Sequence, residues 1–169
     1  DDFQTLQHDH ILSLEWHPNK DIVAIGNLDG SVQIVPLDRH ADELTIRVHL
    51  GPITSARWSH DGKLIAAVAK DDSITVCHSD SGARLSTLPM KSTDVRWNPN
   101  SNLLAIAGKD GLTVWDASAR EVVGSIKAAS SHCWWSPDGV HLATNDGKNR
   151  IVIWNQSTSK VVSVHEVES

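Results

Sequence analysis

His8-Asp9-His10 is the densest group of metal-ligating side chains in the chain. Two imidazoles around a carboxylate can supply part of a zinc site, and a tetrahedral centre needs at least one ligand more. The chain has ten histidines, but no second pair shows ligand spacing, so the cluster reads as a polar loop and no metal site is expected. Asp29, Asp72, Asp110 and Asp138 are carboxylates that acid–base chemistry could use. Each returns at a turn, however, and Asp recurs in turns because its side chain bonds its own backbone and tolerates left-handed geometry. Gly-x-Ser-x-Gly and phosphate-loop patterns are both missing. The expectation is no catalytic residue, no cofactor and no enzyme. One further set is more ordered. Glu15, Arg57, Arg96 and Trp134 each precede a tryptophan in a repeating context. One acid, two bases and an aromatic could bind a ligand. The simpler reading is mutual pairing, Glu15 with Arg57 for example, since charges set well inside a fold are normally paired.

The elements that position these residues follow from that repeat. The segments Glu15-Trp16-His17-Pro18-Asn19, Arg57-Trp58-Ser59-His60-Asp61-Gly62, Arg96-Trp97-Asn98-Pro99-Asn100 and Trp134-Trp135-Ser136-Pro137-Asp138-Gly139 place tryptophans at 16, 58, 97 and 135. A period near 40 that fills the chain identifies a repeat architecture. Within each period the pattern predicts four short β-branched strands punctuated by Pro, Asn, Asp and Gly. For the first period these are Ile11–Trp16, Asp21–Gly26, Ser31–Pro36 and Glu43–His49. The second strand is apolar almost throughout, as in Leu64–Ala69 and Leu103–Gly108, which predicts burial on both faces between like sheets. Helical periodicity is absent.

These features resemble the WD-repeat β-propeller family over the whole length of the chain. The residues that carry the resemblance are Trp135 with Ser136-Pro137-Asp138-Gly139, the run Leu112–Asp116, and Arg150–Asn155, together with the turn aspartates Asp29, Asp72 and Asp110. The Trp-Asp dipeptide itself is kept only at Trp115-Asp116, and Gly-His is absent. The fold implied is all-β, four WD-type blades of four antiparallel strands. One domain is expected over 1–169, with an outer strand at 2–6 and blades at about 11–49, 53–88, 92–126 and 131–166. The extra outer strand and the start at Asp1 without methionine point to part of a larger ring. The other assembly considered is a half-propeller that homodimerises into eight blades and serves as a peptide or small-ligand sensor.

The family's function class is protein–protein interaction scaffolding, here in a larger intracellular, cytoplasmic protein or assembly. By the family's geometry the inner strands line a central channel. The outer-to-inner links and the second-to-third-strand turns share one face, where rigid scaffolds present binding loops. The residues expected to meet a partner there are His8, His10, Asp29, His49, Lys70, Asp72, Lys91, Lys109, Lys148 and Arg150. Their positive side, over blades two to four, would suit an acidic peptide. The expected partners are proteins, and the remaining blades of its own propeller or a second copy. The net charge of −6 and scattered basic residues argue against nucleic acid. No apolar run is long enough to span a membrane as a helix, and two cysteines give no disulfide framework.

Overall fold

The computed structural model describes residues 10–38, 40–127, 130–145 and 149–166. The strand expected at 2–6 lies outside them, as do His8, Asp9 and Lys148. The described residues form strands β1 (Ile11–Trp16), β2 (Ile22–Asn27), β3 (Ser31–Pro36), β4 (Leu44–Arg47), β5 (Ile53–Trp58), β6 (Leu64–Ala69), β7 (Ile74–His78) and β8 (Arg84–Leu88). They continue with β9 (Asp94–Trp97), β10 (Leu103–Gly108), β11 (Gly111–Asp116), β12 (Glu121–Ile126), β13 (His132–Trp135), β14 (His141–Asn145), β15 (Arg150–Asn155) and β16 (Lys160–Glu166). Every four consecutive strands make one antiparallel sheet in sequence order. The result is four blades, the all-β propeller architecture expected from the repeat, in partial form.

The repeat tryptophan explains how successive blades lock together. Strand side chains alternate between faces. The tryptophans of β5, β9 and β13 all point back to the preceding blade. Trp58 is 7% exposed and its indole N–H donates to the Glu15 carbonyl at 3.3 Å. Trp97 is 9% exposed and donates to the Arg57 carbonyl at 2.9 Å. Trp135 donates to the Arg96 carbonyl at 3.0 Å. A buried indole needs such an acceptor, and the acceptor is always the residue before the previous repeat tryptophan. Trp16 holds the same place in blade one and is 55% exposed.

The small residue opposite the position before each repeat tryptophan is equally regular. Ala24, Ala66, Ala105 and Ala143 pair in register with Glu15, Arg57, Arg96 and Trp134. A methyl group there leaves room for the next blade's ring. The interiors between blades are apolar: Val32, Ile34, Trp58 and Ile65 between the first two, Val76, Val95, Trp97 and Trp115 between the next, and Val114, Cys133, Leu142 and Trp154 between the last. Strand β6 is buried along its whole length, as its uninterrupted apolar run requires. In β14 burial alternates instead, because blade four has a neighbour on one side only among the described residues.

Two kinds of turn follow the tryptophans. In blades two and four a serine caps its own turn: Leu64 N–H donates to Ser59 Oγ and His141 N–H to Ser136 Oγ, each at 2.9 Å. In blades one and three His17 and Asn98 reach the next blade instead. Asn98 Nδ2 donates to the Gly139 carbonyl at 2.8 Å, and the His17 ring stands edge-on to Trp58 at 4.6 Å over Gly62.

Candidate functional site

The loop face is built from the strand-two-to-three turns and the links between blades, and backbone hydrogen bonds clamp the two together. Leu28 N–H donates to the His10 carbonyl, Lys70 N–H to the Pro52 carbonyl at 3.0 Å, and Ser130 N–H to the Gly108 carbonyl at 3.0 Å. Turns and links therefore do share one face.

In blade one, Asp29 Oδ1 accepts from Ser31 N–H at 3.0 Å and Ser31 Oγ at 2.6 Å, and these two bonds hold its carboxyl below the usual range. Its other oxygen pairs with Arg47 at 3.4 Å. In blade two the equivalent residue is Asp71, which accepts from Ser73 N–H and Ser73 Oγ. The turn pattern puts Asp72 in that place, and the backbone corrects this to Asp71. Asp72 stands at φ 66°, the place of Gly30 (φ 85°), and its carboxylate reaches Lys91 Nζ at 2.5 Å. The distinguishing signal is the left-handed turn position, which Gly fills in blade one and Asp tolerates in blade two.

The other expected residues divide by position. Lys70, Lys91, Lys109 and Arg150 are exposed on this face, as is His10 at φ 52°. The His49 side chain is only 5% exposed: it sits under the blade-two turn, with Nδ1 at 3.2 Å from Ser73 Oγ and 3.7 Å from Asp71. Serine, histidine and aspartate thus meet, but not as a catalytic relay. Ser73 Oγ donates to Asp71 at 2.6 Å, and His49 Nε2 is buried without a partner. A working triad needs the histidine's two nitrogens to serve different groups, with the nucleophile facing substrate.

The channel side shows the expected pairing. Glu15 accepts from Arg57 at 3.3 Å and from Trp58 N–H at 2.7 Å. Burial nevertheless raises its carboxyl above the usual range, against the pull of these two donors. Arg96 pairs with Asp94 on its own strand at 3.2 Å, a partner two residues away and thus on the same strand face. Asp94 also accepts from Cys133 N–H of the next blade at 3.3 Å, as Ser13 Oγ accepts from Ala56 N–H at 3.1 Å. Sequence reasoning did not select Asp94 or Ser13. The hydroxyl or carboxylate three residues before the repeat tryptophan was the available signal. Trp134 stacks on His132 at 5.7 Å and stays exposed. These inner strands bound a cleft of about 440 Å³. Burial pushes the Cys77 thiol up to about 11 and Cys133 to about 12, so neither is a nucleophile near neutrality.

Four like sheets in series, latched by a repeated indole, define a β-propeller segment. Residues 39–166 match the family model described as Eukaryotic translation initiation factor eIF2A, and residues 2–35 that described as WD domain, G-beta repeat. The chain belongs to the first of these families and, with it, to the WD-repeat β-propellers. Among curated proteins it is similar to Protein HIR1 of Cryptococcus neoformans, 27% identical over 86% of this chain and 20% of that protein. It is also similar to WD repeat-containing protein 55 of Arabidopsis thaliana, 25% identical over 90% of this chain and 46% of that protein. The chain thus spans from a fifth to just under half of these relatives. Among solved structures, a chain of the mitotic checkpoint complex superposes with a TM-score of 0.83 at 19% identity, over 98% of this chain and 53% of that one. The Cps50 (Swd1) β-propeller domain of Myceliophteria thermophila gives 0.81 at 21%, over 98% and 58%. Both show the fold. WD-repeat propellers as a family generally act as non-enzymatic interaction scaffolds.

Proposed function

We propose that this chain is a protein-interaction scaffold, the WD-repeat portion of a larger intracellular, cytoplasmic protein or assembly, and that it meets its partner on the loop face. The observation that carries the reading is the contrast between frame and surface there. The backbones of the turns in blades one to three are clamped to adjoining links, while Lys70, Lys91, Lys109 and Arg150 are exposed on the same face. A rigid frame with exposed, varied side chains is how scaffolds present recognition surfaces. The similarity to a translation initiation factor family and to a propeller found in a multiprotein complex supports a role as an assembly subunit. The reading as a non-enzyme rests on the chemistry of the described groups: high-pKa thiols, a serine–histidine–aspartate cluster closed on itself, and carboxylates committed to turns. Lysine-directed cross-linking of the protein in its native assembly, read by mass spectrometry, tests the proposal. Partner peptides should attach to Lys70, Lys91 and Lys109. Attachment confined to Lys20 and Lys63, at the opposite turns, would refute it.

A further inference from the structure

The loop face carries a groove of about 460 Å³ around the tip of the β10–β11 hairpin. It is bounded by the link Pro89–Lys91, the tip Gly108–Gly111 and the end of β12 through Lys127. Its volume lies within the range of about 300–1,000 Å³ typical of ligand sites. That is room for a short peptide stretch and not for a folded domain.

The frame of the groove is fixed. A Cβ on Gly108 would stand 2.5 Å from the Lys91 carbonyl oxygen, so link and hairpin touch backbone to backbone and only glycine fits. The same hairpin is tied to the following link by Ser130 N–H on the Gly108 carbonyl. Three lysines surround this frame: Lys91, Lys109 and Lys127. Lys91 carries Asp72 in an exposed pair at 2.5 Å, a kind of pair worth little net energy and open to exchange with another carboxylate. Lys109 and Lys127 form no ion pair among the described residues. Among the described residues the only opposing charge in the lining is Asp110. Half-buried Met90 and Ile126 add apolar wall beside the ammonium groups.

We infer that this groove binds an extended acidic peptide segment of a protein partner, with carboxylates on Lys109 and Lys127 and an apolar side chain between them against Met90 and Ile126. The inference rests on the loop face being the partner surface and narrows it to one place and one chemistry. Charge selects the occupant. Two lysines without an ion pair among the described residues match two carboxylates. A nucleic-acid backbone, one charge per nucleotide, calls for a longer basic track than Lys91, Lys109 and Lys127 supply.

Selection of short random peptides displayed on phage, panned on the purified chain, tests this. Enriched peptides should carry at least two Asp or Glu flanking Leu, Ile, Met or Phe. Synthetic copies should lose affinity about tenfold or more in a Lys109→Glu/Lys127→Glu variant, and keep it in Lys20→Glu/Lys63→Glu, all three proteins melting at the same temperature. Amidating the peptide carboxylates should cost as much as the lysine reversals. Enrichment without acids, binding indifferent to Lys109 and Lys127, or oligouridylate bound more tightly than the peptides would overturn the assignment. A native partner lost on reversal of Lys70 but not of Lys109 and Lys127 would keep the loop-face reading and reject the groove.

Discussion

Trp58 and Trp97 are nearly removed from solvent, and each indole N–H has a carbonyl acceptor in the preceding blade. Truncating either opens a large cavity and orphans that carbonyl. We expect Trp58→Ala and Trp97→Ala to cost about 3–5 kcal/mol each in urea unfolding. Trp16→Ala should cost about 1 kcal/mol or less, because its ring is half in water. Equal losses at all three positions would refute the indole latch. His17 offers a second prediction. Its Nδ1 accepts from Asn19 N–H at 3.0 Å, which requires the neutral ring. Burial, with Lys20 adding to it, holds its pKa below the ordinary 6.5. The unfolded chain therefore binds the proton at higher pH than the folded one. The stability contributed is complete above about pH 6.5 and falls as pH drops through the folded value. His17→Asn, the residue that serves at the matching place in Asn98, should remove that slope between pH 7 and 5. A variant with the wild-type slope would show that other groups set it. At this scale the sequence was partly legible. Glu15 with Arg57 could be read because both stand at one position of the repeat. Arg96 with Asp94 could not, since the repeat gives positions between blades and not the choice between a neighbour two residues away and one blade away. A loop link suggests an exposed His49, yet its side chain turns inward beneath Ser73.

The elements follow from turns as much as from strands. Gly62 lies at φ 71°, and a Cβ there would stand 2.0 Å from His17 Nε2 in the neighbouring blade. Gly62→Ala should therefore lose about 2 kcal/mol or more, from left-handed strain and from the displaced imidazole. Gly51→Ala is the internal control: nothing lies within 4 Å of its added methyl, and its change should stay within about 0.5 kcal/mol. Thermal melts of the two variants decide it. Strand positions were legible because alternation and β-branched runs are strong where each sheet is covered on both sides, as in β6 and β10. The blade-two turn lies one residue away from where its aspartates suggest. Two adjacent aspartates, Asp71 and Asp72, offered the same chemistry, and only the backbone shows that Asp72 takes the glycine place.

At the scale of the whole molecule, the outer side of blade one displays Leu14 and Trp16, each 55% exposed, where the matching Ala56 and Trp58 of blade two are covered by a neighbour. That face is built like an inter-blade face, in keeping with a chain that spans 53% and 58% of the propellers it superposes on. The repeat period made this architecture legible, whereas the partner surface rests on which loops are clamped and which side chains stay exposed, and neither is written in the period. The central claim is that the loop face binds the partner, and charge reversal on the two faces measures it most directly. Lys70, Lys91 and Lys109 changed together to Glu should weaken association with the native partner by about tenfold or more and flatten its salt dependence. Stability should stay within about 0.5 kcal/mol. The matching set on the opposite turns, Lys20 and Lys63 to Glu, should leave affinity unchanged. Loss of binding in the second set with none in the first would contradict the account.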